Sequence, residues 1–226
     1  MKEKVFRLPN AIIQNSDNLH PSTISVAQVF YANMGKHRKF TNCLANIAAM
    51  SFKCVDTVRQ AVEELVKAGY IKKVYNFIYS DALGKNIYAR TTYCILKPVE
   101  EDYTFVPYAW LKQDLTPCTM QVLLTCRMFM IKSKTRSYPS LRKISALIRV
   151  SKSTVCNALA CIAELGILLI EPCQKENKAY SSNSYHMIHH ISDMNVRPLI
   201  VQCITQTVQK ALTNRQERFG SYMLSF

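Results

Sequence analysis

An internal repeat constrains this chain of 226 residues more than any single motif does. Leu19-His20-Pro21-Ser22-Thr23, with Val26 three positions on, recurs as Leu115-Thr116-Pro117-Cys118-Thr119 with Val122, an offset of 96. After one inserted residue, 44–71 matches 141–168 at an offset of 97, so that Leu44, Ile47, Thr57, Val58, Ala61 and Gly69 meet Leu141, Ile144, Thr154, Val155, Ala158 and Gly166. The halves also end alike, Thr92-Tyr93-Cys94-Ile95 against Ser184-Tyr185-His186-Met187-Ile188. Two similar domains are therefore expected, over 1–98 and 105–190. Between them 99–104 holds three carboxylates, Glu100, Glu101 and Asp102, and is expected to be an acidic linker. Residues 191–226 follow as a helical extension.

Each repeat has the same pattern of elements. Pro21 and Pro117 stand where a first helical turn tolerates proline, and apolar residues recur at three- and four-residue spacing over 22–34 and 118–131. A polar basic loop comes next, then a short helix over 41–50 and 140–148, and a third helix over 54–68 and 151–165. Gly69 and Gly166 sit where a left-handed cap is wanted. Strand-rich segments close each repeat, 70–79 with 86–96 and 168–172 with 184–189. Three helices and a hairpin predict a winged helix-turn-helix, and the fold class is mainly α with small β wings (α+β).

Ser151-Lys152-Ser153-Thr154-Val155, followed by Ala158-Leu159, Ile162 and Glu164-Leu165-Gly166-Ile167, resembles the winged-helix domains of bacterial replication initiators and of phage or plasmid replisome organisers. Tandem copies in one chain are similar to the two-winged-helix plasmid initiators. The resemblance implies double-stranded DNA binding in replication of a plasmid, phage or mobile element, with replication proteins as partners. A transcription repressor and a tandem winged-helix adaptor of the chromosome-segregation type are the alternatives. The first repeat departs from the pattern at Cys54, where the second has the better helix cap Ser151, and at Asp56 in the same turn.

Charge agrees with a polyanionic partner. Lys and Arg number 29 against 15 Asp and Glu, a formal charge of +14. Both halves share it, with 14 basic and 6 acidic residues over 1–98 and 11 and 4 over 105–190. Residues 115–163 hold eight basic residues and no acid.

In a helix-turn-helix the start of the third helix enters the major groove while loops and wing hold phosphates. Base reading is therefore expected from Lys152, Ser153, Thr154 and Asn157, and in the first copy from Thr57, Arg59 and Gln60; lysine can donate to guanine and asparagine can pair with adenine. Phosphate contacts are expected from Lys132, Lys134, Arg136, Arg142, Lys143, Arg149, Lys175 and Lys178, and from Lys36, Arg38, Lys39, Lys72, Lys73, Lys85 and Arg90. In the first copy Asp56, Glu63 and Glu64 would bring carboxylates toward the phosphates, so the second copy ranks above it as the DNA reader.

Other functions find less support. Nine cysteines never form C-x-x-C, and they are expected to be free thiols in a reducing compartment, with no metal bound. No phosphate-cradling G-x-x-x-x-G-K-[ST] loop occurs, and His186, His189 and His190 lack the spacing of nicking initiators, so neither catalysis nor a cofactor is expected. No signal-peptide or membrane-spanning run is present, which predicts a cytoplasmic, nucleoid-associated bacterial protein with no membrane partner. An apolar stripe over 195–219 predicts a helix that packs on its own domain or joins two copies as a homodimer.

Overall fold

In the computed structural model, residues 4–35, 37–97, 102–130, 136–171 and 183–188 are described. The predicted C-terminal helix over 195–219, with its homodimer seam, lies outside them, as do Lys36, Lys132, Lys134, Lys175, Lys178, His189 and His190.

The chain begins with β1 (Val5–Pro9) and a single turn, α1 (Asn10–Ile13). The predicted first helix forms as α2 (Pro21–Asn33), with Pro21 in its first turn and the His20 ring accepting a hydrogen bond from the Ser22 N–H. Residues 22–24 and 26–32 of α2 are buried, and a helix covered on nearly all sides needs no single apolar stripe. Then come β2 (Lys39–Asn42), α3 (Leu44–Ser51) and α4 (Val55–Lys67). Gly69 takes φ 72 just beyond α4, which lets the chain turn into the hairpin β3 (Ile71–Ser80) and β4 (Lys85–Ile95). β4 lies between β2 and β3 in an antiparallel sheet.

β5 (Tyr103–Pro107) and a 3₁₀ turn (Tyr108–Lys112) lead into α5 (Pro117–Met128). The second repeat continues with β6 (Arg136–Ser137), α6 (Leu141–Ile148), α7 (Lys152–Glu164), β7 (Leu168–Glu171) and β8 (Ser184–Met187). Its sheet order, β6-β8-β7, reproduces the order β2-β4-β3 of the first. Gly166 takes φ 68, as Gly69 does in the first repeat. The fold is mixed α+β with small antiparallel sheets, of winged-helix-like form.

Packing divides the chain into Met1–Met128 with Leu147–Arg149, and Phe129–Ala146 with Val150–Phe226. The sequence placed the break earlier, at 99–104. The end of that segment is built into the first unit: Asp102 accepts from the Asn10 backbone and, at 2.6 Å, from its amide, and Thr104 donates to the Asn10 Oδ1. β5 then pairs with β1 from Val5↔Pro107 to Pro9↔Tyr103. α5 follows against α2, with Gln121 reaching the Ile13 carbonyl and Arg127 the Phe105 carbonyl. The first helix of the second repeat thus belongs by packing to the first unit.

The short strands β1, β2, β5 and β6 were not expected from the sequence; the ends of the predicted basic loops are the strands β2 and β6. The core of the first unit centres on α2, with Ile24, Val26, Phe30, Ile47, Val58 and Leu65 at or near zero exposure. Tyr70 donates at 2.5 Å to Asp17, and burial together with that bond raises its phenol above the ordinary range. Ile144, Val155, Leu159, Ile162, Leu168 and Tyr185 are among the buried residues of the second.

Candidate nucleic-acid interface

The third helix of each repeat carries the residues expected to read bases. Of the apolar set expected on the inner face of the third helix, Val155, Ala158, Leu159 and Ile162 are buried, whereas Leu165, at the C-cap of α7, is 51% exposed because the helix ends there. Lys152, Ser153, Cys156 and Asn157 are exposed near the start. Ser151 caps the helix: its hydroxyl accepts from the Thr154 N–H at 3.1 Å and lies 2.7 Å from the Ser153 and Thr154 hydroxyls. The hydroxyls of Ser153 and Thr154 are thus engaged by the cap. Lys152 and Asn157 have no hydrogen-bond or ionic partner among the described residues and face solvent.

Just before α7, α6 places Arg142 and Lys143 in its own first turn. Ser140 caps it by accepting from the Lys143 N–H at 3.1 Å, a role signalled in the sequence by a serine at the start of the helix. Lys143 lies over the Phe129 ring, 4.5 Å from its centroid, while Arg142 is exposed without a described partner. Arg149, in the turn between the helices, has φ 56, and Phe52 has φ 53 at the equivalent place in the first repeat. Arg136 is exposed at the start of β6.

The first repeat is wired differently. Cys54 occupies the cap of α4 but no side-chain capping bond forms; its thiol instead lies 3.0 Å from the Thr57 hydroxyl, a contact that lowers its pKa. Arg59 pairs with Asp56 at 2.5 Å. Glu63 pairs with Lys73 of β3, and Glu64 turns inward to accept from the His20 backbone and, at 2.7 Å, from Thr23. The carboxylates expected to oppose phosphates are therefore spent within the fold, and so are the cations beside them. Gln60 remains exposed without a described partner, and Thr57 is half-buried.

Of the phosphate-contact residues expected around α4, Arg38 and Lys39 before or within β2, and Lys72, Lys85 and Arg90 on the hairpin, are exposed. Strand alternation and the pairing of Asn76 with Arg90 and Ser80 with Lys85 put Lys72, Lys85 and Arg90 on one face. Lys73 falls on the other. There a cavity of about 270 Å³ opens between α4 and the hairpin, lined by Arg59, Glu63, Lys73, Tyr75, Tyr88 and Thr91 among others. Its tyrosines were not expected as site residues, although Tyr75, Phe77 and Tyr79 alternate visibly along the sequence.

Chemically, both third helices offer hydrogen-bond donors and cations rather than a reacting constellation. Ser184 and Glu171 both meet the same His186 nitrogen, Nε2, at 2.7 and 2.8 Å, an arrangement unlike a relay that engages opposite ring nitrogens. No group of three or more potential metal ligands occurs among the described residues. Seven described cysteines are free; burial pushes the Cys126 thiol up to about 12 and raises that of Cys118. Among the described residues no single helix is long and apolar enough to cross a membrane.

No family model matches the chain, and a search of curated proteins returns no match. Among solved structures, the chain is similar to the Pi initiator protein, determined in complex with iteron DNA: the TM-score is 0.51 over 84% of this chain and 100% of that one, at 11% identity. That likeness is one of fold. The DIP2311 protein from Corynebacterium diphtheriae aligns with 80% of this chain and 28% of its own length at 13% identity, with a TM-score of 0.23 too low to inform the fold.

Proposed function

We propose that this chain binds double-stranded DNA through its winged helices and serves replication initiation or organisation on a plasmid, phage or mobile element. The observation that carries the reading is the outer face of α7, where Lys152 and Asn157 stand exposed, with no partner among the described residues, at the capped start of a helix within an acid-free stretch that holds eight basic residues. A surface that only needs to be soluble interleaves its signs. The fold shared with an initiator solved on its iteron DNA favours replication over repression. In this reading α7 supplies base contacts from Lys152 and Asn157, Arg142 and Arg149 hold phosphates, and the first copy contributes backbone contacts through Arg38, Lys39, Lys72, Lys85 and Arg90. The protein acts as a binder and not a catalyst, in the bacterial cytoplasm, with replication proteins as further partners.

The test is a salt titration on a random duplex, followed by footprinting on DNA flanking the gene. Affinity should fall steeply and linearly with the logarithm of salt concentration, because each neutralised phosphate releases counterions. Absence of binding at low salt sinks the proposal. Protection of repeated sites supports an origin, and protection of a lone promoter operator supports the repressor.

A further inference from the structure

The hairpin of the first unit sorts its residues by chemistry. One face carries Tyr75, Phe77 and Tyr79 of β3 at alternate positions. On β4 the register shifts: Asn76 pairs with Arg90 but Phe77 pairs with Tyr88, leaving Ala89 as the extra residue of a bulge. That bulge brings Tyr88 onto the face of Tyr75 and Phe77, each 6.3 Å away between ring centroids. The four rings are 54–63% exposed, and the aliphatic Val74, Ile78 and Ile87 fall on the opposite face with Lys72, Lys85 and Arg90. At its inner end the aromatic face meets the cavity beside Arg59 and Lys73.

We propose that this face binds single-stranded DNA, with unpaired bases stacking on Tyr75, Phe77, Tyr79 and Tyr88 and the innermost base entering the cavity. Bases inside a duplex already stack on one another and have no free face to offer. Same-face positions of a strand recur about every 6.8 Å, roughly twice the 3.4 Å rise of a duplex strand, so the ladder suits an extended strand whose bases are unstacked. Rings of this kind accept any base, and the charge of +14 draws in the backbone. The site uses none of the residues of α7 and does not depend on the reading of that helix.

Fluorescence anisotropy of the full chain with a short oligo-dT strand and with a random duplex, in the same buffer, tests the proposal. The chain should bind oligo-dT. Tyr75→Ala and Phe77→Ala should each weaken that binding about 5- to 150-fold while leaving duplex affinity within about twofold. Tyr88→Phe, which keeps the ring, should bind like the unaltered chain, whereas Tyr88→Ala should not. All four positions are exposed, and circular dichroism checks that each variant keeps its fold. The proposal is overturned if the unaltered chain fails to bind oligo-dT, or if the alanine variants bind it equally well. Loss of self-association in Tyr75→Ala without oligo-dT binding would assign the face to a second copy instead. Binding to oligo-dT with none to duplex would sink the function proposed above and leave this one standing.

Discussion

The helices α4 and α7 have the same length and the same place in their repeats, yet α4 pairs Asp56, Arg59, Glu63 and Glu64 within the fold while α7 leaves Lys152 and Asn157 without a described partner. In α4, Asp56 holds Arg59, Glu63 holds Lys73, and Glu64 holds the start of α2. In α7 the polar residues at equivalent turns are Lys152 and Asn157, with no described partner, and the start of the helix is fixed by Ser151 alone. Side chains already paired would have to give up one partner to take another, at a cost close to what they gain. The same scaffold therefore builds a self-contained helix and a receptive one.

The largest expected effect tests whether the two cores are equivalent. Ile47 and Ile144 occupy matching positions and both have 0% exposure, so Ile47→Ala and Ile144→Ala should each cost about 2–5 kcal/mol in denaturant unfolding. A much smaller loss at one of them would show that its core can collapse around the gap. Next is recognition. Asn157→Ala should cost about 1–3 kcal/mol on the footprinted site and little on random duplex, whereas Arg142→Ala should weaken both alike. Gln60→Ala, in the helix whose neighbours are already paired, should move neither; a specific loss there equal to that of Asn157→Ala would break the ranking of the two copies.

Capping gives a smaller contrast. Ser151→Ala should destabilise by about 1 kcal/mol, and Cys54→Ser, which supplies the acceptor α4 lacks, should stabilise by up to about 1 kcal/mol in the same melts. Alkali should act gradually and on the first unit. Burial raises the phenols of Tyr31 and Tyr70 above 10.0 and that of Tyr93 to about 12. A phenol that holds its proton more tightly when folded contributes stability that is intact below pH 10 and lost as pH rises through the folded value. Unfolding followed from pH 9 to pH 12 should show that decline, and Tyr93→Phe should flatten part of it.

Helices were legible because their signals are local. Pro21, Gly69 and Gly166 act through the conformation of their own backbone, and the spacing of Val155, Ala158, Leu159 and Ile162 determines which face of α7 is outward. Strands β1 and β5 were not legible, since a five-residue strand has little pattern of its own and Val5 finds Pro107 only through the fold. Lys73 illustrates the same limit in the site. Its place on the hairpin suggests a phosphate contact, but the fold brings it beside Glu63, a partner that helix periodicity could not disclose. The aromatic alternation at Tyr75, Phe77 and Tyr79 was visible, while the bulge at Ala89 that adds Tyr88 to it was not.

The pairing of β1 with β5 also sets a timetable for synthesis. A chain emerging from the ribosome in order makes β1 before β5 and must wait for about a hundred further residues before the strand that covers it exists, and longer still for α5 to reach α2. Until then the edge of β1 and one side of α2 are open. The repeat boundary in the sequence is thus a poor place to cut: a fragment ending at 98 would keep every helix and the hairpin of the first repeat and still lack both the partner strand of β1 and the helix that covers α2.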